Sequence, residues 1–220
     1  MKRLIGLAVT GMVAMSLIAT AGTATAQARP ATVHVLHAVP GATVDVCVNG
    51  AEVKSNFNYK NRFTAELPAG SYRAVIRAAD AGECTGARVR GASVDLESGR
   101  NYTLAAGLGK GGGVKVFAFR NSVGDIREGN ARLQVRHIVA APRVDVWVNG
   151  APAIRRFAPG AQATVSLPKG DYTVRVAPAG TRTTVIGPRT FSLSSGVAYQ
   201  VFATGNRDAG YSFLVLAQQV

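Results

Sequence analysis

The chain has 220 residues, with 25 Lys and Arg against 12 Asp and Glu, and its formal net charge is +13. This length is enough for two domains of ordinary size after an export signal. Two cysteines and three histidines do not cluster as the ligands of a zinc centre must, so we expect no metal site and no cofactor.

The first segment has the three parts of a secretory signal peptide. Residues 1–3 are basic, residues 4–19 are apolar and uncharged, and A-x-A sequences follow at 24–26 and 26–28. The apolar run is shorter than the roughly 20 residues that span a bilayer, which favours cleavage over an uncleaved membrane anchor. We therefore expect residues 1–28 to be a signal peptide. The mature chain is then secreted, periplasmic or in the cell envelope, with no membrane span.

Short stretches of alternating apolar and polar residues follow, which is typical of half-buried β-strands. Asn49 and Gly50 predict a tight hairpin turn, because both residues tolerate a positive φ. No stretch after the signal peptide has the three-to-four-residue period of a helix. The predicted strands of this region are 33–37, 44–48, 63–67, 72–78, 89–96, 101–108 and 114–119.

The same pattern returns one hundred residues later. V-D-V-C-V-N-G at 44–50 returns as V-D-V-W-V-N-G at 144–150, and L-P-A-G-S-Y at 67–72 returns as L-P-K-G-D-Y at 167–172. A tandem duplication requires one fold that suits both copies. The strands predicted in the second copy, besides the one at 144–148, are 163–167, 172–176, 183–193, 198–203 and 211–216.

About seven short strands in each hundred residues predict an all-β fold of two tandem immunoglobulin-like antiparallel β-sandwich domains. A small β-barrel is the alternative. We expect the first sandwich at 31–120 and the second at 131–220, joined by a polar linker at 121–130 that contains two glycines. Tyr72 and Tyr172 each follow a turn glycine closely, and we expect them to bond back to the backbone as corner tyrosines do.

Cys47 and Cys84 are predicted to form a disulfide, because an oxidising compartment favours a bridge. Cys47 corresponds to Trp147, and the first copy has three more residues than the second between Tyr72 and Leu96, where Cys84 lies. Two free, buried thiols are the alternative. We expect Trp147 to pack in place of the bridge in the second copy.

A histidine that ends the first strand, a V-D-V strand and a later P-x-G-x-Y turn resemble the family called domain of unknown function 4397 (DUF 4397). The resemblance covers both copies and implies a bacterial exported domain, usually in tandem, with no established activity and no catalytic residues to carry over. Family members often read H-A-S-P after the first strand, whereas this chain reads H-A-V-P at 37–40 and H-I-V-A at 137–140. The matching positions are His37, 44–46 and 68–72, and then His137, 144–146 and 168–172.

The polar residues that recur in both copies are expected to be structural. His37 and His137 end their strands, where an imidazole can satisfy loop carbonyls, and no matched nucleophile accompanies them. His34 lies three residues before His37, on the opposite face of a strand, so the two cannot share a metal. The recurring structural residues are His37, His137, Asp45, Asp145, Asn49, Gly50, Asn149, Gly150, Tyr72 and Tyr172.

Asp45 and Asp145 recur without a second recurring carboxylate. A glycosidase needs two carboxyl groups held a fixed distance apart, so we expect these residues to accept hydrogen bonds near the adjoining turn instead. No other recurring pair suggests a nucleophile and a base. We therefore predict that the protein is not an enzyme.

The net charge is the remaining signal. Removing Lys2 and Arg3 from +13 leaves +11, and an exported basic protein is attracted to anionic polymers of the envelope. The arginines are dispersed and the aromatic residues few, which argues against nucleic acid as a partner. A solvated basic surface without a specific ligand is the alternative.

Together these features predict an exported, non-catalytic binding or structural module of the bacterial cell envelope or exterior. Its expected partner is an anionic envelope polymer or another envelope protein. One alternative is a protein that binds its partner by adding a strand to an open sheet edge. The other is an enzyme whose site lies in one repeat only.

Overall fold

A computed structural model describes residues 28–79, 81–84 and 90–220, which form sixteen β-strands and contain no helix. The predicted signal peptide lies outside these residues, apart from position 28. The strands of the first repeat are β1 (Ala31–His37), β2 (Thr43–Val48), β3 (Ala51–Asn58), β4 (Arg62–Leu67), β5 (Gly70–Ala78), β6 (Arg90–Leu96), β7 (Asn101–Leu108) and β8 (Val114–Asn121). The strands of the second repeat are β9 (Asn130–His137), β10 (Val144–Val148), β11 (Ala151–Phe157), β12 (Gln162–Pro168), β13 (Gly170–Pro178), β14 (Ile186–Leu193), β15 (Val197–Asn206) and β16 (Gly210–Gln219).

Each repeat forms a sandwich of two four-stranded sheets, which confirms the predicted all-β, two-sandwich architecture. The first repeat has the sheets β4-β1-β7-β8 and β3-β2-β5-β6, and the second has β12-β9-β15-β16 and β11-β10-β13-β14. One pair in each sandwich, β1 with β7 and β9 with β15, is parallel. One sheet of each sandwich is therefore mixed, because the first strand of each repeat lies beside the seventh, and the other sheet is purely antiparallel.

Three strands are missing from the predicted ranges: β9 was expected only as the strand that His137 ends, and β3 and β11 were not expected at all. β3 and β11 are edge strands whose side chains are mostly exposed, so no alternation of apolar and polar residues marks them. Each contains an irregularity in its register, at which Asn56 has a φ of 49° and Arg156 a φ of 52°. These bulges disturb the ladder of hydrogen bonds that a further strand would need.

The two sandwiches pack against each other through the sheets β4-β1-β7-β8 and β12-β9-β15-β16. Strand β7 is buried along almost its whole length, because its own partner sheet covers one face and the second domain covers the other. Strands buried on both faces are apolar at successive positions rather than at alternate ones. One buried apolar cluster contains residues of both domains: Leu36, Ala38, Ala105, Phe117, Ile138, Phe202, Leu214 and Leu216.

Backbone groups also cross the domain interface. The Leu108 N–H donates to the Ile138 carbonyl at 2.9 Å, and the Thr204 hydroxyl donates to the Ala38 carbonyl at 2.9 Å. Gly107 permits this approach, since a Cβ there would lie 2.5 Å from the Ile138 carbonyl oxygen. The segments after β1 and β9 therefore each contact the opposite domain.

Candidate functional site

The recurring histidines are buried where the first strand of each domain ends. His37 Nε2 donates to the Ala42 carbonyl at 3.0 Å and its Nδ1 accepts the Val39 N–H at 3.2 Å, a pattern that requires the neutral tautomer with its proton on Nε2. His137 Nε2 lies 3.2 Å from the Pro142 carbonyl oxygen. Burial lowers the pKa of both imidazoles below the ordinary value. Both side chains therefore hold a loop and are neutral at pH 7.

The recurring aspartates hold the bulge of the neighbouring edge strand. Asp45 Oδ1 accepts the Asn56 N–H at 2.9 Å, and Asp145 Oδ1 accepts the Arg156 N–H at 2.7 Å. The other carboxylate oxygen of Asp145 accepts the Gly180 N–H at 2.9 Å, and these two backbone bonds hold the pKa of Asp145 below its usual range. Each aspartate therefore accepts a hydrogen bond from the bulge of the edge strand and not from the adjoining Asn-Gly turn, which corrects the expectation from sequence.

In the first domain the aspartate has a cationic partner as well. Arg77 is buried and its guanidinium contacts Asp45 at 3.2 Å and also Glu52. The register places Ala177 opposite Asp145 in the second domain, and Pro152 stands where Glu52 does. The same aspartate is therefore ion-paired in one repeat and bonded to backbone N–H groups alone in the other.

The recurring tyrosines and asparagines also bind the backbone. Tyr72 donates its hydroxyl to the Pro68 carbonyl at 3.0 Å, and Tyr172 donates to the Pro168 carbonyl at 2.9 Å. Each asparagine of the two N-G turns accepts, at 2.9 Å, the N–H of the residue 24 positions later. The φ values of these turns are positive: Asn49 50°, Gly50 86°, Asn149 49° and Gly150 80°.

The predicted disulfide between Cys47 and Cys84 is confirmed. It ties the segment after β5 to the buried end of β2. Trp147 has the position of Cys47 in the second domain, where it is half-buried and the guanidinium of Arg175 lies 4.2 Å from its ring centroid. A disulfide in the first sandwich and a cation–π pair in the second thus occupy equivalent positions. Among the described residues, no three His, Cys, Asp or Glu side chains could hold a metal ion together.

A polar cleft of about 750 Å³ opens between the two domains. It runs along β8 and the segment 122–125, with β9 and β12 opposite. Arg100, Arg120 and Arg132 line it, and Asp125 is its one carboxylate. Arg100 and Arg120 are about half exposed and each contacts Glu97. Such a cleft between low-dielectric walls focuses the field of its charges on whatever enters it.

A fourth arginine lies behind this cleft. Arg136 is fully buried; its Nε donates to Gln162 Oε1 at 2.8 Å and its Nη2 donates to Asn121 Oδ1 at 2.7 Å. Gln162 and Asn121 both line the cleft. The guanidinium carbon lies 4.5 Å from the ring centroid of Phe119 and 5.1 Å from that of Phe202.

Arg136 has no acidic partner among the ion pairs of the described residues. Its Nη1 is buried without a hydrogen-bond partner. Burial lowers the pKa of Arg136 to about 9, so the group is still cationic at neutral pH. A buried charge without a counter-charge is costly, and this one adds positive potential behind the amides of the cleft.

The equivalent place on the other side of the interface is filled. Arg62 donates its Nη1 to the Val215 carbonyl at 3.0 Å. His34 and Asn101 converge on Gln218 Oε1, at 3.0 and 2.7 Å. Burial is the main cause that lowers the pKa of His34. Only a smaller opening of about 300 Å³ is left beside these side chains.

Sequence reasoning counted Arg136 only as part of a dispersed charge. The repeat contains the signal that could have found it, because Leu36 occupies the matching position of the first domain. Strand alternation also places Arg136 on the face of β9 opposite Val135, which packs in the sandwich core. That this outer face is buried depends on the packing of the two domains.

The family described as domain of unknown function (DUF4397) matches this chain twice, at residues 31–141 and 138–220. The first match contains the whole first sandwich and all of β9. The second match begins just after β9 and contains the remaining strands of the second sandwich. Together the matches cover most of the chain. No curated protein matches it. Among the described residues there is no helix that could cross a membrane.

Proposed function

This chain belongs to the family of domain of unknown function 4397, and from its own residues we propose that it is an exported, non-catalytic module of the bacterial cell envelope or exterior. The module binds an anionic polymer in the cleft between its two domains. The observation that carries the proposal is the buried, unpaired charge of Arg136 behind a cleft that three further arginines line.

The chemistry of the cleft suits an anion with several acceptor groups. Arginine donates bidentate hydrogen bonds to carboxylate, sulfate and phosphate groups. The amide of Gln162 also lines the cleft, and its Oε1 accepts a hydrogen bond from Arg136 Nε. The volume of about 750 Å³ lies in the usual range of ligand sites. A carboxylated or sulfated polysaccharide offers repeated groups of this kind.

A binding role rather than catalysis is supported by how the recurring residues are used. The shared histidines, aspartates, tyrosines and turn asparagines are each bonded to the backbone. Export is supported by the Cys47–Cys84 disulfide, since such bridges persist in oxidising compartments. The bulges at Asn56 and Arg156 weigh against strand addition at β3 and β11.

The test uses the chain without residues 1–28 on a heparin column, with heparin as the anionic polysaccharide probe. The double variant Arg100→Gln, Arg120→Gln removes two charges from the cleft. We expect it to elute at a clearly lower salt concentration than the unchanged chain, because fewer charges attract the polymer and salt screens those that remain.

The matched control is the double variant Arg155→Gln, Arg182→Gln, which removes two exposed charges that do not line the cleft. We expect its elution to shift much less. Equal shifts for the two variants would mean that diffuse surface charge, and not the cleft, binds the polymer. No retention of the unchanged chain at low salt would also contradict the proposal.

A further inference from the structure

The second sandwich encloses an apolar slot that is larger than the matching space in the first sandwich. The space between its two sheets is about 340 Å³, against about 120 Å³ in the first sandwich. Its lining is almost entirely aliphatic and aromatic. Empty apolar space of this size is unfavourable, because the atoms that line it lose dispersion contacts.

One replacement removes a large side chain from the second sandwich beneath β12. Phe63 of the first sandwich pairs with Val35 across β1 and β4, and Ala163 pairs with Val135 at the matching place. The Phe63 ring packs edge-on against Phe57, with the centroids 5.4 Å apart. Ala163 leaves that volume open beneath β12.

A second replacement enlarges the opening. Val53 of β3 lines the small space of the first sandwich, and the shorter Ala153 lines the slot of the second. The rim changes in the opposite sense. Ile154 stands where the first domain has Lys54 and lines the slot, while Val165 replaces Ala65 and is 42% exposed. Between the edge strands β11 and β12, interior bulk is therefore lost and apolar surface is gained. At the other edge, between β14 and β16, the slot gains bulk, because Phe191 and Phe213 stand where the first domain has Val94 and Val116.

The shape of the slot favours a straight chain. Its lining follows β12 from Ala163 to Leu167, four residue steps or about 13 Å of strand. A cavity of about 150 Å³ holds benzene, and by proportion a slot of 340 Å³ holds about a dozen carbon atoms.

The charge beside the slot favours an anionic end group. Lys169 is exposed in the turn that follows Leu167, where the first domain has Ala69. Residues 131–220 contain ten Lys and Arg against three Asp and Glu. Of those three, Asp145 is buried and accepts hydrogen bonds from backbone N–H groups, and Asp171 accepts a hydrogen bond from Ser192.

We infer that the slot of the second sandwich binds the hydrocarbon chain of one free fatty acid of about a dozen carbon atoms, with its carboxylate at the Lys169 end. This site is separate from the cleft between the domains, and the inference does not depend on the function proposed for that cleft.

Titration calorimetry of the chain without residues 1–28 tests the inference with octanoate, decanoate, dodecanoate and hexadecanoate. We expect one molecule bound per chain, with decanoate or dodecanoate bound most tightly. Ala163→Phe places the side chain of the first domain in the slot, and we expect it to weaken dodecanoate binding at least about tenfold. Ala209→Phe adds the same ring on an exposed hairpin and should leave binding unchanged.

Thermal unfolding separates a filled slot from a damaged fold. Ala163→Phe should unfold no lower than the unchanged chain, since it fills space as Phe63 does. If it fails to fold, Ala163→Leu is the second variant, and it should also weaken dodecanoate. Unchanged binding by the folded variant, or no binding of any of the four acids to the unchanged chain, would overturn the inference.

The carboxylate is tested separately with dodecanol and with Lys169→Gln. We expect both to reduce affinity several-fold, whereas equal affinity would overturn the assignment of the anionic end. Capture of the chain by phosphatidylglycerol vesicles without binding of the free acids would overturn the choice of a free fatty acid. Retention on heparin should be the same for Ala163→Phe and the unchanged chain, so the two proposals fail independently.

Discussion

In the first sandwich Cys47 is bonded to Cys84, and Asp45 contacts the buried guanidinium of Arg77. In the second, Trp147 lies beneath Arg175 at the place of the cysteine, and the matching aspartate is bonded to backbone N–H groups alone. Strand order and most of the register are the same in both. The hydrogen bonds of the backbone and of the turns thus define this fold in both domains. The disulfide and the buried ion pair of the first domain can be replaced by other contacts in the second.

The domain interface also differs between the two repeats at equivalent positions. Leu36 and Arg136 have equivalent positions, yet one belongs to an apolar cluster and the other introduces a buried charge. Arg62 fills one side of the interface by bonding to the Val215 carbonyl, whereas Gln162 at the matching position leaves the other side open. A duplicated fold has thus become asymmetric at the surface where its copies meet.

The largest effect is expected from removing the disulfide. Cys47→Ser, Cys84→Ser opens a bridge between residues 37 positions apart, and the chain-entropy model assigns such a loop about 3–4 kcal/mol of stability. We expect denaturant unfolding to show that loss, and the unchanged chain to show it only with a reductant. A variant whose stability still falls on reduction would contradict this explanation, since it has no bridge left to reduce.

A second effect concerns the buried charge. Arg136→Leu installs the residue of the first domain, and replacing a buried charge by an apolar side chain is often neutral or stabilising, by about 1–4 kcal/mol. We therefore expect unfolding in denaturant at an equal or higher concentration, together with elution from heparin at lower salt. Arg136→Ala is the control that leaves a cavity, and it should be less stable than the leucine variant. Unchanged retention of a folded Arg136→Leu chain would exclude Arg136 from anion binding.

The smallest of the three effects concerns pH. His37 and His137 have pKa values below the unfolded value of 6.5, so the unfolded chain takes up protons first as the pH falls. Stability is then complete above pH 6.5 and is lost as the pH falls through that value towards the folded pKa. Urea unfolding at pH 7 and pH 5 measures the loss.

The double variant His37→Gln, His137→Gln removes both buried histidines. It is compared with the single variant His34→Gln, whose histidine lies at the domain interface. We expect the double variant to be less stable at pH 7 and to show a smaller loss between the two pH values than the unchanged chain. A loss that is just as large in the double variant would assign the pH dependence to other groups.

Most strands and the Asn-Gly turns could be predicted because their cause is local. Alternation along 33–37 or 44–48 follows from one buried face, and an asparagine followed by glycine favours positive φ whatever surrounds it. Strands β3 and β11 could not be found this way, since an exposed edge strand imposes no apolar period. The disulfide was predicted from two cysteines and an export signal, without knowledge of the strand register.

The candidate cleft could not be predicted from any one segment. Its lining comes from 99–101, 120–125, 132–134 and 162–164, four stretches that meet only when the two sandwiches pack. The slot of the second sandwich is similar, because Ala163 is unremarkable by itself and has meaning only where Phe63 fills the equivalent space. In both cases the useful signal was a difference between repeats rather than a pattern within one.

The sequence by itself determined a duplicated, strand-built chain with one disulfide, because side-chain period, turn residues and cysteine count act over short distances or need no geometry. Only the tertiary structure decided which faces are buried between the domains, which arginine lost its contact with water, and which interior was left unfilled. These depend on side chains far apart in the chain, and their free energies are set by burial and by the partners that packing supplies.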